Sequence, residues 1–251
     1  MHILLTNDDG IFAPGLAAMY KELKNMGQVT VVAPSSVRSG TSHSVTFYHP
    51  ITCCKVNADD LFTGYSVDGS PADCVKLAIL QIMDKPADLI VSGINSGANA
   101  GRNISYSGTV AAALEGGFME IPSVAVSMYA DPQMNFDKAA QYACKTIKQL
   151  MPIKQGDVVN INIPSLAENE PRGVRVVPQA TSGFDEYYVI QPTDNPESKP
   201  AFQLTGGTHR IDEDLTDTMA LTEGFITVTS LITDMTNHEK NKELKKQLEI
   251  D

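Results

Sequence analysis

The sequence predicts an α/β protein in which a mostly parallel sheet is covered by helices on both faces, with an excursion near the C-terminus. Three observations carry this. Short runs rich in Val and Ile alternate with longer amphipathic runs, the order that parallel strands and their crossover helices impose. Pro14 opens a helical pattern and Gly27 follows its end, the polarity that proline and glycine show around helices. Finally, 251 residues with 42% hydrophobic content suffice for one large core.

The elements follow in order. Residues 2–6, HILLT, form the first expected strand, and 29–33, 52–56, 87–91, 123–127, 158–163 and 174–177 continue the series. Helices are expected over 14–26, 71–83, 107–119 and 136–151. Between 181 and 222 the pattern gives way to Gly, Pro, Asp and Thr, which reads as an irregular arm or hairpins outside the main sheet. A strand returns at 225–231, and 239–251 is a charged Lys/Glu helix whose plain reading is a solvated face. The expectation is a single domain over 1–251.

Composition removes several function classes. A net charge of −11 repels a phosphate backbone, so binding to duplex nucleic acid is not expected. No apolar run reaches membrane-spanning length and no leader pattern opens the chain, so no membrane partner and a cytoplasmic location are expected. The cysteines at 53, 54, 74 and 144 lack ligand spacing and read as reduced thiols.

In a parallel sheet ligands gather at the carboxyl ends of the strands, and here those ends are polar. The first strand runs into Asn7-Asp8-Asp9-Gly10, the second into a loop through Arg38, Ser39 and Gly40, and the strand at 87–91 into Ser92-Gly93-Ile94-Asn95-Ser96-Gly97-Ala98-Asn99. Two adjacent ionised carboxylates at a strand tip repel each other unless a cation compensates. Carboxylate, hydroxyl and amide oxygens are hard donors, which suit Mg²⁺, Mn²⁺ or Ca²⁺ rather than zinc. The alternative is a turn-and-cap pair, since Asp-Gly is a common turn signal. The stretch SGTVAAALEGG has two readings as well. Ser107, Gly108 and Thr109 open an Ala-rich helix whose first N–H groups could receive a phosphate, or they simply cap a core helix. Neither G-x-G-x-x-G nor a P-loop occurs.

Six ordered motifs give these loops a resemblance: TNDDGIFAPG (6–15), VVAPSSVRSGTSHS (31–44), GSPADCVKLA (69–78), DLIVSGINSGANAG (88–101), YSGTVAAALEG (106–116) and TDTMALTEGFITVTSL (216–231). The chain is identified by them as resembling the SurE family, the stationary-phase survival proteins that act as metal-dependent 5′/3′-nucleotidases. The resemblance implies a three-layer α/β/α, Rossmann-like architecture with a C-terminal arm. It implies a divalent metal, Mg²⁺ or Mn²⁺, held by Asp8, Asp9, Ser39 and Asn95, and a phosphate pocket at Asn99, Ser107, Gly108 and Thr109. It also implies a homodimer or homotetramer built by exchange of C-terminal segments, which points to 181–222 and 232–251. The chain departs from the family in lacking any Trp after Tyr187-Tyr188, in Arg102 where acidic residues are common, and in Ser230 for a usual proline.

The reaction expected on this basis is hydrolysis of nucleoside 5′- and 3′-monophosphates, with Asp8, Asp9 and Asn95 carrying catalysis. Water, or Asp8 itself, would be the nucleophile. His43 is a candidate substrate contact, and His238 either an acid near a neighbouring subunit's pocket or merely exposed. A phosphorylation-receiver domain is disfavoured because no phospho-accepting Asp follows the central strand. The second class kept open is a non-catalytic nucleotide- or phosphate-binding protein.

Overall fold

A computed structural model describes residues 1–58, 60–181, 184–192, 199–209 and 215–249. Strands β1 (His2–Thr6), β2 (Gln28–Pro34), β3 (Cys53–Ala58), β4 (Phe62–Val67), β5 (Leu89–Ser96), β6 (Ser123–Met128), β7 (Val158–Ile163) and β8 (Val174–Val176) are followed by β9 (Phe184–Gln191), β10 (Ala201–His209) and β11 (Ile226–Leu231). The helices are α1 (Pro14–Leu23), α2 (Pro71–Leu77), α3 (Gly108–Phe118), α4 (Phe136–Leu150), α5 (Asp217–Thr222) and α6 (His238–Gln247). A wide π-type turn, Ala78–Ile82, continues α2, and a 3₁₀ turn, Gly101–Tyr106, leads into α3.

Nine strands form one sheet in the order β3-β4-β2-β1-β5-β6-β7-β11-β8. The run from β4 to β7 is parallel, while β3 and β11 enter antiparallel at either side. Alternation along the strands sorts the core between the two faces. Ile3, Leu5, Leu89, Val91, Val124 and Val126 pack with α1 and α4, and Leu4 and Ile90 face α2 and α3. With side chains fully buried on both sides, each Leu or Ile contributes about 1.5–3 kcal/mol. That is why the strands read as apolar runs.

Helix starts follow local chemistry. Pro14 sits in the first turn of α1. Ser70 and Asp73 form a reciprocal capping box on α2, and Ser107 and Asn135 cap α3 and α4. The described part of the arm is an antiparallel hairpin of β9 with β10, paired in register from Ala201–Gln191 inward and separate from the main sheet. Residues 182–183, 193–198 and 210–214 of the expected arm lie outside the described residues. The structure departs from expectation at β4, a strand outside the expected series, at β5, which runs on to Ser96 past the expected end at 91, and at α5, which replaces irregular chain at 217–222. Among the described residues no helix is long and apolar enough to cross a membrane.

Candidate active site

β1 has β2 on one side and β5 on the other, so the crossovers leave it in opposite directions and a crevice opens at its carboxyl end. Asn7 shapes the turn there: its Nδ2 donates to the Gly10 carbonyl at 2.9 Å and its Oδ1 accepts the Gly10 N–H at 3.2 Å. The turn projects Asp8 and Asp9 beyond the sheet. Asp8 is buried, and its Oδ1 accepts the Thr109 hydroxyl at 2.6 Å. The Asp9 Oδ2 accepts the Ser96 N–H at 3.1 Å. Burial pushes the Asp8 carboxyl above its ordinary range, the Thr109 hydrogen bond opposes this, and the neighbouring Asp9 charge adds to it. Burial raises Asp9 too, against the Ser96 N–H.

The loop after β2 reaches this point through its backbone. The Arg38 N–H donates to the Asp8 carbonyl at 2.8 Å, which places the exposed Ser39 beside the Asp8 backbone. Asn95, near the end of β5, donates its Nδ2 to the Gly97 carbonyl at 2.7 Å, so its Oδ1 is the atom left to coordinate or accept. Helix α3 closes the crevice from the other side. A Cβ built on Gly108 would lie 2.9 Å from the Asp8 Cβ and 3.2 Å from its Oδ2, so only glycine lets the helix mouth come this near the carboxylate. Ser107 Oγ accepts the Val110 N–H at 3.1 Å, and helix geometry leaves the first amides of α3 without internal acceptors.

The structure sets Asp8 against the mouth of α3 at Gly108 and Thr109, bonds Asp9 to the N–H of Ser96 next to Asn95, and ties Arg38, next to Ser39, to the Asp8 carbonyl. The side chains of four expected site residues have partners within the chain. Asn99 is buried: its Nδ2 donates to Ser127 Oγ at 2.8 Å, and its backbone is pinned by Asn160 and Asn162. Thr109 turns its hydroxyl to Asp8. His43 lies further along α3, with Nε2 2.8 Å from Glu115 Oε2 and its ring stacked on Phe118 at 5.4 Å. His238 is exposed and bonded to Asp234 at 2.8 Å, so within one chain it stays out of the crevice.

Sequence reasoning missed the supporting residues. Asn160 and Asn162 share one face of a strand whose six residues are all buried, and the alternation in VVNINI was the available signal. Asp217, fully buried, accepts the N–H groups of Gly101 at 2.9 Å and Ala180 at 2.9 Å, tying the arm to the loop before α3. Nothing in the local pattern marks it.

The donor set fits a hard divalent cation. Among the described residues no three His, Cys, Asp or Glu side chains cluster as ligands. A cation here would rest on two carboxylates completed by neutral hydroxyl and amide oxygens, the set that Mg²⁺ and Mn²⁺ accept. Two carboxyls raised by burial are the uncompensated charges that such a cation would relieve.

Fold and crevice define a Rossmann-like α/β protein in which an acidic strand tip, the candidate site, faces a helix N-terminus. The family model described as "Survival protein SurE" matches residues 3–186. The chain is 41% identical to the 5′-nucleotidase SurE of Desulfitobacterium hafniense over 100% of this chain and 98% of the relative. It is 39% identical to the 5′-nucleotidase SurE of Rhodopirellula baltica over 98% of both. The crystal structure of the SurE protein from Aquifex aeolicus superposes with a TM-score of 0.84 at 35% identity, covering 99% of this chain and 100% of that one. The chain belongs to the SurE family.

Proposed function

We propose that the protein is a nucleotidase, hydrolysing nucleoside monophosphates to nucleoside and phosphate with the help of a divalent cation, Mg²⁺ or Mn²⁺. The observation that carries the reading is the contact between opposites at the crevice: the N-terminus of α3 touches Asp8, the first of two adjacent carboxylates, through Gly108 and Thr109. A phosphate drawn to the helix would be repelled by Asp8 and Asp9 unless a cation lay between them. Asp8, Asp9, Ser39 and Asn95 would hold that ion. When bound, it would supply Lewis-acid stabilisation of charge on the phosphate oxygens.

The chain's own groups do the rest. The amides at the start of α3 orient the phosphate and meet developing negative charge with fixed dipoles. The Thr109 hydroxyl holds Asp8 in one rotamer, leaving its second oxygen toward the crevice. Asp9, half-buried and open to solvent on one side, is placed to orient an attacking water. Asn99 supports this arrangement from beneath, keeping the loop over residues 97–101 on β7.

We further propose that the chain is one domain that assembles as a dimer or tetramer through the arm and the tail. Tyr187, Tyr188, Ile190, Phe202 and Leu204 are exposed on a hairpin that, among the described residues, forms a separate two-stranded sheet, and α6 has no buried residue. Two-stranded ribbons of this kind are marginal alone. The central experiment is hydrolysis of a panel of nucleoside monophosphates, with a chromogenic phosphomonoester, across Mg²⁺, Mn²⁺ and chelator. Metal-dependent phosphate release is expected. Tight nucleotide binding without turnover in any metal would replace the enzyme with a binding protein.

A further inference from the structure

The chain over residues 35–46 carries Ser39 over the crevice, yet it belongs to no helix or strand. Its first half is tied to the strand tips: Ser35 N–H donates to the Val67 carbonyl at 2.8 Å and Arg38 N–H to the Asp8 carbonyl at 2.8 Å. What holds its second half is a set of side chains from the helices behind it. Ser42 Oγ donates to the Ser105 carbonyl at 2.8 Å, and Ser70 Oγ donates to the Ser44 carbonyl at 2.6 Å. Two carboxylates anchor it as well: Asp73 of α2, which accepts the Thr46 N–H at 2.9 Å and the Thr46 hydroxyl at 2.8 Å, and Glu115, in the middle of α3. Its side chain is only 4% exposed, one oxygen takes Lys76 Nζ from α2 at 2.5 Å, and the other takes the His43 ring at 2.8 Å.

A carboxylate this buried is expensive unless both oxygens are satisfied, and here one of the two partners comes from the loop. The hydrogen bonds from His43 and Lys76 outweigh desolvation and hold the Glu115 carboxyl below its ordinary range, so it stays charged. Phe118, one turn on, stacks against the same imidazole and limits its rotation. Letting the loop lift away would strip Glu115 of half its compensation.

We infer that Glu115 is a positioning residue: acting through His43, it docks the loop that presents Ser39 beside Asp8 and so preorganises the cation site roughly eight helical residues, about 12 Å, away. This assigns His43 to the loop's anchorage rather than to substrate. The inference rests on the cation reading above only for the role of Ser39; the docking itself stands on the contacts described.

The test uses the full chain, with Mn²⁺ as probe. Mn²⁺ affinity is measured by electron paramagnetic resonance, and amide exchange across 41–46 is measured in parallel. Glu115→Gln and His43→Ala should each weaken Mn²⁺ binding by about 10–100-fold, the range typical when a group supporting a ligand is lost. Each should also speed exchange in the loop. The double variant should lose no more than either single, because both remove one link. His43→Gln, which keeps an N–H for Glu115, should restore most of the affinity. Arg175→Ala, which breaks the Arg175–Glu223 pair on β8, serves as a destabilised control and should bind Mn²⁺ as the parent does. Parent-like affinity in both single variants, or additive losses in the double, overturns the inference. A parent chain that binds no Mn²⁺ overturns the nucleotidase reading instead, and unchanged loop exchange in Glu115→Gln then still rejects the docking role.

Discussion

The contact between α3 and Asp8 makes Gly108→Ala the most informative single change. The added methyl would lie 2.9 Å from the Asp8 Cβ, 3.0 Å from Pro71 Cγ and 3.2 Å from Asp8 Oδ2. Carbon pairs are comfortable at about 3.5–4.0 Å, so Asp8 or the helix start must retreat by roughly 0.6–1 Å. The obstructing atom is the Asp8 Cβ, which no rotamer change can move. Overpacking of this kind costs about 1–3 kcal/mol. Replacing a helical glycine by alanine returns up to about 1 kcal/mol. The net loss, about 0–3 kcal/mol, leaves the protein folded, with a melting midpoint lower by up to about 12 °C at the 2–4 °C per kcal/mol typical of this size. Catalysis should suffer far more, because a displacement near 1 Å of a reacting group costs about 100-fold. Calorimetry alongside kcat/KM on a chromogenic phosphomonoester in Mn²⁺ checks both halves. Parent-level kcat/KM with an unchanged midpoint would refute the claim that helix mouth and carboxylate form one site.

Asp9→Asn should abolish metal-dependent turnover while the chain stays folded, and parent rates from the variant would remove Asp9 from the site. The raised carboxyls of Asp8 and Asp9 set the sign of a pH effect: a folded-state pKa above the unfolded value favours folding at low pH and loses that contribution as pH rises through it. Metal-free protein should therefore gain stability at neutral pH when Mg²⁺ or Mn²⁺ is added, by about 2.7 kcal/mol at a hundredfold excess over Kd and read as a higher melting midpoint, and Asp9→Asn should show little of that gain. Native thiol titration should find Cys53 and Cys54 reacting quickly, since both are exposed, and Cys74 and Cys144 only on unfolding. Burial pushes the Cys144 thiol up to about 12 and the Cys74 thiol higher still, so four fast thiols would contradict the packing.

Much of this was readable in the chain. HILLT and LIVSG are apolar on both faces because helices cover both, which is the mark of a parallel sheet, and polar residues at their ends mark the crevice. β4 escaped notice because FTGYSV carries Thr, Gly, Tyr and Ser at its centre, and its burial comes from lying between β3 and β2 rather than from apolar content. α5 is six residues long, too short for a 3.6-residue period to show. At the candidate site, the placement of Asp8, Asp9 and Ser39 was legible because a loop's position after a strand fixes where it ends up, whereas Asn95 lies on β5 itself, which runs on to Ser96. Side-chain direction was not legible. Whether Thr109 points at phosphate or at Asp8, and whether Asn99 points out or toward Ser127 on β6, depends on neighbours 101 and 28 residues away in sequence.

The charge pattern of the crevice yields one further step. The N-terminus of α3 offers about half a positive charge, whereas Asp8 and Asp9 together carry up to two negative ones. The guanidinium nearest in sequence to the site, Arg38, is committed to Asp68 at 2.5 Å. On a chain of net charge −11, the local field opposes a phosphate dianion, and fixed side chains near the loop do not reverse it. Affinity for phosphate must then be coupled to cation binding, and the coupling must be reciprocal: substrate should tighten the cation by the same factor that the cation tightens substrate. A site arranged this way would discriminate against free anions of similar shape whenever the cation is absent. On the proposed reading a P-loop lysine is not needed, since the positive charge that such a lysine would fix in place would be supplied by an exchangeable ion.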